Sequence, residues 1–278
     1  MDLPQITRIL YHPIKTPKEP VPADAVNIDA PVAPQISLGC RLFTHDLTAP
    51  TLIFFHGNAE TVPDYDEIGP YYTQEGLNFL VTDYRGYGWS DGVPLTSTFL
   101  PDSNAVFLYL KQWLTEHGYT GPLFVMGRSL GSASAIEIAL NQSDAVTGLI
   151  IESGFAQTLP LAKTLGLDLE PLGITEEQTF NNGDKIARFT KPTFILHGQH
   201  DHLIPLWQAE RLMADSGAKG KELQIVPGAD HNTLIAIAGR LYFQAIRKFV
   251  DKAAGTAPDW RERRRQFKAQ QQAQRKQD

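Results

Sequence analysis

Cysteine is scarce in this chain, and that scarcity is its first constraint. The 278 residues include one cysteine, Cys40. An intrachain disulfide is therefore impossible, and zinc sites built on paired cysteines are ruled out. A single thiol fits a reducing compartment. Cys40 falls in an apolar run, Ile36 to Phe43, that reads as a strand, and no motif sets a histidine or aspartate beside it. It is read as a small, half-buried side chain rather than a nucleophile. Long apolar runs are also missing, and none approaches the ~20 residues that cross a bilayer. The amino-terminal stretch, with Asp2, Pro4, Gln5 and Arg8, lacks the continuous apolar core of a signal peptide. Nor is there an excess of positive charge: 25 basic against 31 acidic residues give a net charge of −6. That balance gives no general attraction to nucleic acid or to an anionic membrane. These absences together lead us to expect a soluble, cytoplasmic protein with no membrane span and no nucleic-acid partner.

What is present is ordinary for a globular domain. Hydrophobic residues make up 42% and charged residues 20%. The length suffices for one sizeable core, and no internal repeat divides it. We expect a single domain over residues 1–255 and a basic, Gln-rich tail over 256–278. The tail holds Arg261, Arg263, Arg264, Arg265 and Lys268 and reads as a solvated helix or a disordered segment. The first ~30 residues hold Pro4, Pro13, Pro17, Pro20, Pro22 and Pro31, which argues for irregular or edge structure.

Beyond them, short apolar runs alternate with helical stretches. Ile36 to Phe43, Thr51 to Phe55, Phe79 to Thr82, Leu123 to Met126, Leu149 to Ile151, Thr193 to Leu196 and Leu223 to Val226 read as strands. Asp102 to Glu116, Leu130 to Leu140, Leu206 to Ser216 and Thr233 to Val250 read as helices. This rhythm implies an α/β fold, a mainly parallel sheet with helices on both faces. In such sheets ligands gather at the carboxyl ends of the strands. Phe155 to Arg188 interrupts the rhythm. A short cap over the site, within 156–188, is one reading, and a surface helix with a long loop is the other.

The chemistry-bearing residues sit at those strand ends. Gly127-Arg128-Ser129-Leu130-Gly131 fits G-x-S-x-G, a weak pattern by itself. Its setting strengthens it: Leu123 to Met126 is a strand before it, and Ser132 to Leu140 is a helix after it. A sharp strand-to-helix turn strains the serine backbone, and the flanking glycines make room for that turn. The hydroxyl is then exposed, and the N–H groups of the next helix point at a developing oxyanion.

A serine hydroxyl needs a general base. Of the eight histidines, His231 follows the strand Leu223 to Val226 through Pro227-Gly228-Ala229-Asp230 and precedes a helix. A histidine on that loop can reach over the strand ends to Ser129. His12 and His117 read as surface residues. An acid must hold the second ring nitrogen. Asp201, in His197-Gly198-Gln199-His200-Asp201, lies on the loop after the penultimate strand. The order Ser129, Asp201, His231 is the order expected for a nucleophile elbow of this type. Asp230 is the main rival and Glu152 a weaker one. For the oxyanion hole, Phe54-Phe55-His56-Gly57-Asn58-Ala59 ends an early strand. The expected donors are the backbone N–H groups of Asn58 and Leu130. His56 is read as bracing that turn.

These stretches, with Asp83-Tyr84-Arg85-Gly86-Tyr87-Gly88, Ile151-Glu152-Ser153-Gly154-Phe155 and Ala229-Asp230-His231-Asn232, occur in one order from about Thr51 to Val250. The chain in this respect resembles α/β-hydrolases of the Bem46 and ABHD13/ABHD17-like group, also described as serine aminopeptidase-like hydrolases. The resemblance implies ester or thioester hydrolysis through an acyl-enzyme, with no cofactor and no metal. It also implies that the Asp83 to Gly88 stretch shapes the sheet edge and pocket wall. Two departures argue against carrying over a membrane substrate from depalmitoylating relatives. Glu60 follows Ala59 where the group often has glycine, and a Cys-rich amino-terminal region is absent.

The expectation is thus a serine hydrolase taking a small-molecule acyl ester or thioester. A peptidase, an amidase or an acyltransferase would use the same three residues. A non-catalytic binding module on the same scaffold is the alternative from another class. Dehalogenase and epoxide-hydrolase chemistry is disfavoured, because on this fold it uses an aspartate at the elbow.

Overall fold

Successive residues of a strand point to opposite faces of its sheet, so a strand that is apolar throughout must be covered on both. The computed structural model of the protein, which describes residues 2–22 and 24–257, shows that arrangement. The chain runs α1 (Pro4–Leu10), β1 (Ala25–Ala33), β2 (Ile36–Phe43), β3 (Thr51–Phe55), α2 (Gly69–Gln74), β4 (Asn78–Thr82) and α3 (Thr96–Glu116). It continues β5 (Leu123–Arg128), α4 (Gly131–Asn141), β6 (Gly148–Glu152), α5 (Thr158–Thr164), α6 (Asn182–Arg188), β7 (Thr193–Gly198) and α7 (Leu206–Asp215). It closes β8 (Lys221–Val226), α8 (Leu234–Ala238) and α9 (Arg240–Ala254). Most of the expected tail, residues 258–278, lies outside the described residues.

The strands form one sheet of eight, in the order β1-β2-β4-β3-β5-β6-β7-β8. β1 and β2 pair antiparallel, as do β2 and β4, and every later pairing is parallel. The sheet is therefore mainly parallel. In β3, Leu52 and Phe54 enter one core with Phe79, Phe124, Met126 and side chains of α2 and α9. Ile53 and Phe55, one step on, enter a second core with Leu80, Val125 and side chains of α3, α4, α6 and α7. The continuous apolar runs are this two-sided burial seen in one dimension. The strand order reverses between β3 and β5, which carries the ends of both to one crevice.

Three stretches depart from the sequence expectation. The proline-rich start forms the edge strand β1, as expected, but also the helix α1. α1 opens with Pro4, which needs no N–H partner in the first turn, and buries Ile6 and Leu10 on one face. A seven-residue helix is too short to stand alone, but each such burial contributes roughly 1.5–3 kcal/mol. β1 tolerates Pro31 because it is an edge strand, and its register shifts between Pro31 and Ala33. α3 begins at Thr96, before the expected Asp102, and runs through Pro101. Phe99 overrides that proline by packing against Tyr11, Tyr84 and Phe180. The stretch Thr233 to Val250 is two helices, broken at Gly239 with φ +54° and ψ −136°. An L side chain rarely adopts that backbone, so the helical periodicity concealed a glycine hinge.

Residues 156–188 form α5, α6 and two single-turn 3-10 helices between them. Leu169 and Phe180 of this segment enter the α3–α4 core. Cys40 is fully buried rather than half-buried, and burial pushes its thiol pKa well up, which leaves it unreactive.

Candidate active site

The sharp turn after β5 is visible in the backbone. Ser129 has φ +53°, a left-handed conformation that costs a non-glycine residue about 1–3 kcal/mol. The turn is held on both sides. Ser129 N–H donates to the Glu152 carbonyl at 2.9 Å, and the Ser129 carbonyl accepts from Ser132 N–H at 3.0 Å and Ser132 Oγ at 2.6 Å. The flanking glycines are needed for close approach. A Cβ at Gly127 would strike the Gly131 carbonyl, and one at Gly131 would strike the carbonyls of Phe55 and His56. Ala59 and Ser153 also have positive φ, at +59° and +46°. Three of the five non-glycine residues with positive φ among the described residues thus lie just past β3, β5 and β6, at the carboxyl end of the sheet.

The other two expected residues converge on Ser129. His231 Nε2 lies 3.0 Å from Ser129 Oγ, and His231 Nδ1 lies 2.7 Å from Asp201 Oδ2. The carboxylate can only accept there, so Nδ1 carries the proton and Nε2 presents its lone pair to the hydroxyl. Asp201 is fixed by its other oxygen, which accepts from Leu203 N–H at 3.0 Å and Ile204 N–H at 2.8 Å. All three side chains are nearly buried, with Ser129 at 7%, Asp201 at 4% and His231 at 8% exposure. Such low exposure raises the strength of each contact. The rivals are occupied elsewhere. Asp230 accepts from Asn232 N–H at 2.9 Å and Thr233 Oγ1 at 2.8 Å, which fastens the start of α8. Glu152 faces Arg128 and the Tyr242 hydroxyl. His197, four residues before Asp201, donates from Nε2 to the Ile204 carbonyl at 2.7 Å. Burial lowers its pKa and keeps it neutral.

Of the expected oxyanion donors, Asn58 lies in the turn after β3 and Leu130 in the turn after β5. Neither Asn58 N–H nor Leu130 N–H donates to an acceptor among the described residues. His56 braces the turn, as its sequence position suggested. Its Nδ1 contacts the Gly57 carbonyl at 2.7 Å and its Nε2 contacts Asp83 Oδ1 at 3.1 Å. Tyr84 adds a hydroxyl to the His56 carbonyl at 2.6 Å, and Tyr87 adds one to Asn58 Oδ1 at 2.6 Å. The Asp83 to Gly88 stretch therefore supports this turn. His12 also enters here. It is exposed, but its N–H donates to Asn58 Oδ1 at 2.9 Å, so the chain after α1 clamps the Asn58 side chain.

Arg128 is the residue that sequence reasoning passed over. It fills the variable position before the serine, and its guanidinium lies against Glu60, Glu152, the His231 carbonyl and Asn232. Burial pushes the Glu60 pKa up, but Arg128, His56 and hydrogen bonds from Tyr65 and Gly57 outweigh it and hold Glu60 below the usual carboxylate range. For Glu152 burial prevails over Arg128 and the Tyr242 hydrogen bond, and its pKa is raised. A cavity of about 440 Å³ opens beside this cluster, lined by Glu60, Tyr65, Arg128, Glu152, Asn232 and Tyr242 among others. Among the described residues no group of three or more His, Cys, Asp or Glu side chains is arranged to hold a metal ion. No helix among them is long and apolar enough to cross a membrane.

Comparison with known proteins agrees with this architecture. The family described as serine aminopeptidase, S33, matches residues 48–167. Protein bem46 of Schizosaccharomyces pombe is 29% identical over 208 residues, covering 72% of this chain and 67% of its own. The human alpha/beta hydrolase domain-containing protein 17B is 29% identical over 210 residues, covering 73% and 66%. Among solved structures, the Pyrococcus furiosus esterase Pf2001 superposes with a TM-score of 0.70 at 18% identity, covering 86% of this chain and 98% of that one. The chain has the α/β-hydrolase fold, and in sequence it is similar to protein bem46 and to the human alpha/beta hydrolase domain-containing protein 17B.

Proposed function

We propose that the protein is a serine hydrolase that cleaves carboxylic esters or thioesters through an acyl-enzyme. The observation that carries this reading is the hydrogen-bonded line from Ser129 Oγ through His231 to Asp201, at 3.0 and 2.7 Å. His231 Nε2 takes the Ser129 proton as Oγ attacks the acyl carbon. Negative charge collects on the former carbonyl oxygen, where the N–H groups of Asn58 and Leu130 receive it. The protonated His231, steadied by Asp201, gives its proton to the leaving alcohol or thiol as the acyl–oxygen or acyl–sulfur bond breaks. Water then enters, loses a proton to His231 and attacks the acyl-enzyme. The acid departs, and Ser129 recovers its proton.

The esterase named among the structural neighbours is consistent with this reading. An ester carries its own good leaving group, which an amide lacks, and esters are therefore the first substrates to test. A chain-length series of nitrophenyl esters tests the proposal directly. We expect turnover by the native chain and a fall of about 10⁴-fold or more in Ser129→Ala. Equal hydrolysis by Ser129→Ala would contradict it. The same series set against nitroanilides separates esterase from amidase activity.

A further inference from the structure

We propose that Arg128 is a positioning residue, which ties the oxyanion turn to the loop that carries His231. The inference rests on the reading of Ser129, Asp201 and His231 as the reacting groups. Arg128 is the last residue of β5, and its side chain is 12% exposed. It reaches three other strand ends at once. Nη1 pairs with Glu60 beyond β3. Nε lies 3.3 Å from Glu152 Oε1 at the end of β6. Nη2 donates to the His231 carbonyl and to Asn232 Oδ1, both at 2.9 Å, beyond β8.

The contacts continue past the arginine. Glu60 Oε2 accepts from Gly57 N–H at 2.8 Å and from the Tyr65 hydroxyl at 2.6 Å. Gly57 N–H lies one peptide before the Asn58 N–H, and the carbonyl of the intervening peptide is held by His56 Nδ1 at 2.7 Å. The path thus runs from the residue beside the expected oxyanion donor through Glu60 and Arg128 to the backbone of the base. Only arginine can serve it. A planar fork with five donors can hold a carboxylate on one side and a carbonyl on the other, whereas a lysine ammonium is a single point. Glu60 is the residue that anchors the fork. A buried ion pair is by itself weak evidence for stability, and hydrophobic side chains often replace one at no cost. Fixing two reacting parts of the site relative to each other is a sufficient reason to keep it, since a misplacement of about 1 Å can cost 10²-fold in rate.

The test uses Arg128→Lys and Arg128→Ala, with the native chain and Ser129→Ala alongside, on a short nitrophenyl ester. We expect kcat to fall about 10-fold in Arg128→Lys and about 100-fold in Arg128→Ala, with KM within about threefold. The cavity opens onto the guanidinium, so the alanine variant leaves a gap that solvent can reach. Guanidinium ion at tens of millimolar should restore at least about fivefold of the lost kcat there and leave the native chain unchanged. A kcat within about twofold of native in folded Arg128→Lys, a loss confined to KM, or no guanidinium rescue of folded Arg128→Ala would overturn the positioning role. If Arg128→Ala fails to fold, the kcat and KM of Arg128→Lys decide the matter. Full activity in Ser129→Ala would overturn the underlying reading and this inference together. Native-like Arg128 variants beside an inactive Ser129→Ala would overturn this inference alone.

Discussion

Of the histidine–aspartate contacts at the carboxyl end of this sheet, His56–Asp83 and His231–Asp201 differ in what the second ring nitrogen meets. His56 places Nε2 3.1 Å from Asp83 and Nδ1 2.7 Å from the Gly57 carbonyl. Both nitrogens face acceptors, and the ring is fully buried. His231 places Nδ1 2.7 Å from Asp201 and Nε2 3.0 Å from the Ser129 hydroxyl. A hydroxyl can give up a proton, and a carbonyl cannot. The first pair braces the turn that carries Asn58, and under the proposed function the second moves a proton. The difference teaches that a buried histidine beside an aspartate becomes a base only through its free nitrogen.

That contrast can be broken by substitution. The largest effect should come from His231→Gln. We expect kcat/KM for an activated ester to fall by about 10⁴-fold or more with the melting temperature nearly unchanged, because the base is lost and the core is not. Asp201→Asn comes next, with a fall of about 10³–10⁴-fold, since an amide no longer fixes the ring with Nδ1 as donor. If either variant kept native kcat/KM, the two pairs would not differ as described. His56→Gln should act on stability instead. Breaking a buried pair costs about 3–5 kcal/mol, and activity per folded molecule should stay within about 10-fold of native.

The pH dependence of that cost has a definite sign. Burial would lower the His56 pKa, but the hydrogen bond and charge of Asp83, with Glu60 and the Gly57 carbonyl, raise it above the ordinary imidazole value. A raised folded pKa means that the contribution is complete below about pH 6.5, the unfolded value, and is lost as pH rises through the folded one. The gap in melting temperature between native and His56→Gln should accordingly narrow as pH rises above neutrality. A gap that widens over that range would contradict the assignment. The smallest effect should be that of Asp230→Asn, with kcat/KM within about twofold of native. A fall there as large as that for Asp201→Asn would restore Asp230 as the acid.

Much of this was legible in the sequence for physical reasons. Strands β3 to β7 are short and largely apolar on both faces, a pattern that burial between two layers of helices produces. Ser129 and Asp201 each follow such a strand, and His231 follows the edge strand β8, at the end where this fold gathers its site. What stayed hidden depended on distant partners. α1 is too short to announce itself, and it exists because Ile6 and Leu10 find a core. The turn of α3 before Asp102 depends on Phe99 packing against Tyr84, a contact with another segment. Gly239 interrupts no apolar periodicity, so the break between α8 and α9 shows only in its backbone angles. Arg128 occupies the variable position of its motif, and its partners are Glu60, Glu152 and Asn232 on three other segments. Spacing along one chain carries no signal of such a meeting.

The central claim is that Ser129 is the activated nucleophile. The most direct measurement is covalent labelling of the native chain with a fluorophosphonate, followed by intact mass and peptide mapping. We predict a single adduct on the peptide containing Ser129, absent in Ser129→Ala and strongly slowed in His231→Gln. No adduct on the folded chain, or an adduct on another residue that persists in Ser129→Ala, would contradict it.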